Sequence, residues 1–220
     1  MLRLYDTTTR AARELRPGPL RVHVHGADPR VHVTADVLRR VAERHGHRVL
    51  IGHSGDVPDW DPAELNVQPM EWPPGEADLH VVADAAAPAH MAAGAAVAVA
   101  VAPAPSSWAD ADPVAVRLAM LSAHYRTPIE PGGALDAPAE RLRRWRERVA
   151  AWADSPGRPM CADYVAEAGA AFEDDLDTPA VLSVLDRLAD DPDIPPGSKF
   201  ETFVHLDLIL ALDLVSAIGR

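Results

Sequence analysis

Cysteine is almost missing from this chain of 220 residues, where Cys161 stands alone. A single thiol excludes an intramolecular disulfide framework and a multi-cysteine zinc ribbon. Lysine is equally scarce, with Lys199 the only one, while arginine and alanine abound. That bias in composition makes the number of arginines poor evidence for a role. Long apolar runs are lacking too: the best stretch, residues 92–102, is too short to cross a bilayer, so no membrane partner is expected. The opening Met1-Leu2-Arg3-Leu4-Tyr5-Asp6 has no apolar signal core, and the expected location is cytoplasmic. Positive charge is outweighed as well. The formal charge of −12 repels phosphate backbones and disfavours general nucleic-acid binding.

Apolar residues make up 48% of the chain, enough for an ordered core. The first half alternates strand and helix signals. Leu20, Val22 and Val24 share one face of a period-two segment ending at His25. Thr34 is placed to cap a helix with Val37, Leu38, Val41 and Ala42 as its buried stripe, and Gly46 to close it. Strands are predicted at 48–51, 78–82 and 95–102, a short helix at 85–94, and an irregular proline-rich connection at 57–75. Strand-helix-strand repeats build a parallel, right-handed, Rossmann-like sheet.

The second half reads as helices only. Asp112-Pro113 pairs a cap with proline at the first helical position and leads a helix over 114–125. Further helices are predicted at 137–153, 161–172, from Thr178-Pro179 through Leu188, and at 200–218. The expected architecture is therefore α/β: a reduced Rossmann-like domain over 1–108, then an all-α helical bundle over 109–220.

Three stretches resemble the class I cysteinyl-tRNA synthetase family, and most closely the cysteine ligases of mycothiol biosynthesis. They are the opening Leu2-Arg3-Leu4-Tyr5-Asp6-Thr7, the segment from Pro113 to Arg126, and Asp174-Asp175-Leu176-Asp177-Thr178-Pro179. The likeness is strongest over 112–188 and much shortened over 1–102. It implies a Rossmann-like core with a helical bundle, and activation of cysteine with ATP.

The residues that such chemistry needs have no counterparts. The family binds ATP through a His-x-Gly-His motif after the first strand; here that strand ends at His25-Gly26, and only residues 27–33 precede Thr34. The family's second ATP motif is a lysine-rich loop before the helical part; residues 102–108 hold no lysine there. The family's zinc ligands are two cysteines, a histidine and a glutamate. His25 stands at the first cysteine position, Ala89 and Ala93 at those of the histidine and glutamate, and Cys161 matches none. No ATP, zinc or other cofactor is therefore expected. The leading expectation is a non-catalytic pseudoenzyme that works by protein or ligand binding. The alternatives are a reduced cysteine ligase or aminoacyl transferase using a pre-activated substrate, and a tRNA or aminoacyl-adenylate binding module.

Ligands of parallel sheets bind at the carboxyl ends of the strands. The residues expected around any such pocket are His25, Gly26, His53, Ser54 and Asp84. His23 and His25 share a strand face and His32 is near in sequence, but no carboxylate or cysteine lies close by, so they read as a polar strand face and no metal site is assigned. Gly52-His53-Ser54-Gly55-Asp56 misses the Gly-x-Ser-x-Gly elbow and reads as a turn. Arg141, Arg143, Arg144, Arg146 and Arg148 surround an apolar stripe of Leu142, Trp145 and Val149, the pattern of a packed helix with a basic outer face. Acids at 173–177 precede Thr178-Pro179 and favour a helix start. The last helix is apolar on more than one face, so either the bundle surrounds it or part of it meets another chain, as a homodimer or protein partner.

Overall fold

A computed structural model describes residues 1–70, 76–83, 97–104, 108, 111–130 and 135–219. Period-two segments form the strands. β1 (Arg3–Asp6) and β2 (Ala11–Glu14) make an antiparallel hairpin. β3 (Leu20–His25), β4 (Val49–Ser54), β5 (Leu79–Ala83) and β6 (Val97–Val101) form a parallel sheet in the order β4-β3-β5-β6. The expected Rossmann-like topology is thus present, with the reversal of strand order beside β3. Leu20, Val22 and Val24 turn to one face, which α1 (Pro29–Arg44) covers with Val31, Val37, Leu38 and Val41. The helix predicted at 85–94, with Asp84, Ala89 and Ala93, lies outside the described residues.

The helical half comprises α2 (Pro113–Leu121), α3 (Asp136–Ala153), α4 (Ala162–Glu173), α5 (Thr178–Asp190) and α6 (Pro196–Leu210). Its core centres on Trp145, Phe172 and Phe203, and the buried apolar residues of sheet and helices are contiguous. Lys199 is buried as well: its ammonium donates to the Ala189 carbonyl at 3.0 Å and lies 5.6 Å from the centre of the Trp152 ring. The basic face of α3 is paired. Arg143 meets Glu140 and Glu147, Arg141 reaches Asp186 at 2.5 Å, and Arg148 reaches Asp190 at 2.6 Å. Arg146 donates to the Leu212 and Asp213 carbonyls. Among the described residues no helix is long and apolar enough to cross a membrane.

Two polar junctions tie the halves together. In the first, Arg117 of α2 is fully buried; it donates to Asp36 of α1 at 2.8 Å and to the carbonyls of Leu65 and Leu210, each at 2.7 Å. Asp36 also accepts from Arg40 at 2.8 Å and from the Gln68 amide at 3.0 Å. The second junction is centred on Asp175. Its carboxylate accepts from the Tyr5 amide at 2.7 Å and the Tyr125 hydroxyl at 2.5 Å, and pairs with Arg126 at 2.8 Å. Burial, then the Asp175 charge, push the Tyr125 phenol above its ordinary pKa. Asp175 and Leu176 both take left-handed backbone angles, with φ of 58° and 53°. These contacts hold that uncommon geometry in place.

Several boundaries differ from expectation. α1 starts at Pro29 with Asp28 as its cap, whereas Thr34 lies inside the helix and its hydroxyl donates to the Arg30 carbonyl at 2.7 Å. Gly52, His53 and Ser54 are strand, not turn; the turn begins at Gly55, whose φ of +94° suits glycine. α2 ends at Leu121 rather than Tyr125. α6 ends at Leu210, eight residues before the expected 218: Ala211 is left-handed, and the Asp207 carboxylate accepts from the amides of Leu212 and Leu214 beyond the stop.

Candidate functional site

Parallel register brings the chemistry-bearing residues to the carboxyl end of β3. Val24 lies opposite His53 of β4 and His25 opposite Ser54, while His23 lies opposite His80 of β5. Because strand side chains alternate, two histidine groups form on opposite faces.

On the α1 side, the ring Nε2 atoms of His32 and His53 each lie 2.9 Å from the Gly26 carbonyl. A carbonyl only accepts, so both rings donate from Nε2. Trp60 donates to the neighbouring Ala27 carbonyl at 2.8 Å and sets its ring edge-on to His32. Burial holds His32 below the usual histidine pKa despite the Gly26 bond, so the ring is neutral near pH 7.

On the opposite face, His25 is the middle of a hydrogen-bonded chain. Its Nδ1 lies 3.1 Å from the Ser54 hydroxyl and its Nε2 lies 2.8 Å from Nδ1 of His80. His23 packs beside both, with ring centres 4.5 Å from His25 and 5.8 Å from His80. One ring nitrogen from each of the three lies within 4.8 Å of the others.

Of the expected pocket residues, His25, Gly26, His53 and Ser54 do meet at this edge, and Asp84 lies outside the described residues. His80 was missed. Its signal was present in Asp78-Leu79-His80-Val81-Val82, a strand of the same sheet, but proximity to His23 comes from register across 57 positions of sequence. Neighbours in sequence alone supply no third ligand beside His23 and His25; the fold supplies it from β5. The zinc set implied by the resemblance does not fit: Cys161 sits at the start of α4, bonded through its amide to Thr202 in the helical half.

The start of α1 is closed. One Asp28 oxygen accepts from the amides of Arg30 at 2.9 Å and Val31 at 3.3 Å, and the other from the Ala104 amide at 3.2 Å. Arg30 turns inward, where its guanidinium donates to four carbonyls, those of Ala102, Ala123, His124 and Thr127. Burial pulls its pKa down to about 10, so it remains a cation near pH 7. A cavity of about 150 Å³ lies at the other end of α1, lined in part by Arg44, His205 and Phe172.

No family model matches the chain. Part of it is similar to curated L-cysteine:1D-myo-inositol 2-amino-2-deoxy-alpha-D-glucopyranoside ligases. It is 44% identical to that of Streptosporangium roseum over 82 residues, 37% of this chain and 19% of the ligase. It is 46% identical to that of Streptomyces griseus over 79 residues, 36% of this chain and 18% of the ligase. For Thermobifida fusca the values are 39% over 114 residues, 48% and 26%. The match thus spans 18–26% of the length of those ligases. The three stretches that carry the resemblance meet at the Asp175 junction, through Tyr5, the Tyr125–Arg126 pair and Asp175 itself. Part of the chain, over 36–48% of its length, is thus similar to part of these cysteine ligases.

Proposed function

We propose that this chain is a cysteine-ligase-related protein that forms no adenylate and acts by binding. The observation that carries the reading is the start of α1. Helix N-termini hold phosphates because their amides are free and their dipole attracts negative charge. Here Asp28 supplies that negative charge from within the chain and takes two of the amides. A triphosphate approaching this end would meet a carboxylate, and the Arg30 cation faces inward. The paired arginines of α3 support leaving nucleic acid out of the reading. Exposed Leu208 of α6, with Val215 and Ile218 beyond its end, supports a protein partner or homodimer at the C-terminal side of the bundle.

Cysteine-dependent exchange of pyrophosphate into ATP tests this directly. No exchange is expected, and no rise in thermal midpoint with ATP plus cysteine. Exchange that depends on both substrates would overturn the reading.

A second reading rests on the Ser54–His25–His80 chain, which sets a hydroxyl against an imidazole at the ligand-binding edge. In this reading the protein is a transferase that takes an already activated aminoacyl group: His25 accepts the Ser54 proton as the hydroxyl attacks the carbonyl carbon, and the activating group leaves with the electron pair of the broken bond. A burst of acyl-protein with a cysteinyl thioester, abolished in Ser54→Ala, is its signature. No burst would remove it.

A further inference from the structure

We propose that His23, His25 and His80 form a binding site for one zinc-type divalent cation. The set differs from the thiolate-rich one that the resemblance implies, and the inference does not depend on whether adenylation is lost.

Three observations carry it. First, the ligand atoms are already gathered: one nitrogen from each ring lies within 4.8 Å of the others. A tetrahedral zinc with Zn–N bonds of about 2.0–2.1 Å needs its nitrogens roughly 3.3 Å apart. His25 and His80 stand at 2.8 Å and need only separate slightly. Second, the frame is rigid. His23 and His80 are registered partners on adjacent strands of the parallel sheet, and β3 is itself paired on both edges. Third, an orienting partner is present. A histidine that ligates through one nitrogen is fixed by a hydrogen bond at the other. With Nε2 of His25 on the metal, its proton sits on Nδ1 and donates to Ser54 at 3.1 Å.

The tautomers balance. The cation replaces the proton shared by His25 and His80. The shared proton moves to the outer nitrogen of its own ring, so that His25 is protonated on Nδ1 and His80 on Nε2, both rings stay neutral, and no net proton is released. Three imidazoles leave a coordination position for water or a ligand atom, the pattern of open zinc sites. Neutral imidazole suits zinc, copper, nickel and cobalt, whereas magnesium and calcium prefer oxygen.

The test uses the full chain, stripped with a chelator and dialysed. Zinc is titrated in competition with a chromophoric chelator, and cobalt is followed by its visible absorption. The chain has 10 histidines, so the site must be distinguished from loose binding elsewhere. The expected result is one zinc per chain, an intense tetrahedral cobalt spectrum, a thermal midpoint raised by zinc, and no response to magnesium. His80→Gln and His25→Gln should each weaken zinc by more than 100-fold, His47→Gln should bind as the parent does, and Ser54→Ala, with all ligands intact, should weaken binding by about 10-fold. Circular dichroism of the metal-free variants separates lost ligation from lost fold, and Ser54→Ala remains informative where a histidine variant unfolds. A stoichiometry near zero, an octahedral cobalt spectrum, or unchanged zinc affinity in the His25, His80 or Ser54 variants would overturn the proposal.

Discussion

Asp36 and Arg117 offer the sharpest test of how the two halves are joined. Asp36→Ala would leave the Arg117 guanidinium fully buried, with two carbonyls and no direct counter-ion. Breaking one side of a buried pair costs about 3–5 kcal/mol. Arg117→Met is milder, because Asp36 keeps Arg40 and the Gln68 amide. Its cost is about 3 kcal/mol, built from two orphaned carbonyls at about 1 kcal/mol each and a similar amount for the lost charge contact. The double variant leaves no fully buried charge unpaired; Arg40 loses Asp36 but is partly exposed and keeps the Leu208 and Asn66 carbonyls. This variant retains the orphaned carbonyls and adds the Gln68 amide, again about 3–4 kcal/mol. The singles then sum to about 7 kcal/mol against 3–4 for the double, a coupling of roughly 3 kcal/mol. Urea unfolding with a constant slope measures all four corners of the cycle. Additivity within about 0.5 kcal/mol would refute the reasoning, because it would mean that the interior screens the pair as well as water does.

Other outcomes follow from the same structure. Asp175→Ala removes the acceptor for Tyr5 and Tyr125 and leaves an alanine at φ near 58°; a loss of about 3 kcal/mol is expected by urea unfolding, with Asp175→Asn closer to the parent because asparagine tolerates left-handed geometry. Asp28→Ala should cost about 1–2 kcal/mol through the lost cap, read as a lower thermal midpoint. His32 makes stability depend on pH. Its folded pKa is depressed, so the unfolded chain binds the extra proton first and stability falls as pH drops through about 6.5. His32→Gln should flatten that slope relative to the parent in melting curves taken from pH 7.5 to 5.

The alternation of strands and helices was legible because each element carries its own period, as in Leu20-Arg21-Val22-His23-Val24-His25. Ends were harder. Asp28-Pro29 carries the same cap-and-proline signal as Asp112-Pro113, yet Thr34 competed for the role and moved the predicted cap of α1 by six residues. The stop at Ala211 has no local signature, since alanine rarely takes left-handed angles; Asp207 imposes it by bonding the amides beyond. The β1–β2 hairpin lacks glycine or asparagine in its turn and is closed instead by Asp6, which accepts from Thr8 and Thr9. Four of the five expected pocket residues meet at the carboxyl edge of the sheet. His80 did not emerge because register between strands is a property of the folded sheet, and no spacing in the chain records it.

The isolation of Lys199 has a practical side. Lys199 is the one amine side chain in this sequence open to amine-directed reagents. Lys199 lies beneath α3 and α5, held by Ala189 and Trp152. Acylation at this position therefore reports separation of α6 from its neighbours. The chain carries a built-in clock for opening of the helical half, which mass spectrometry can read without any engineered probe.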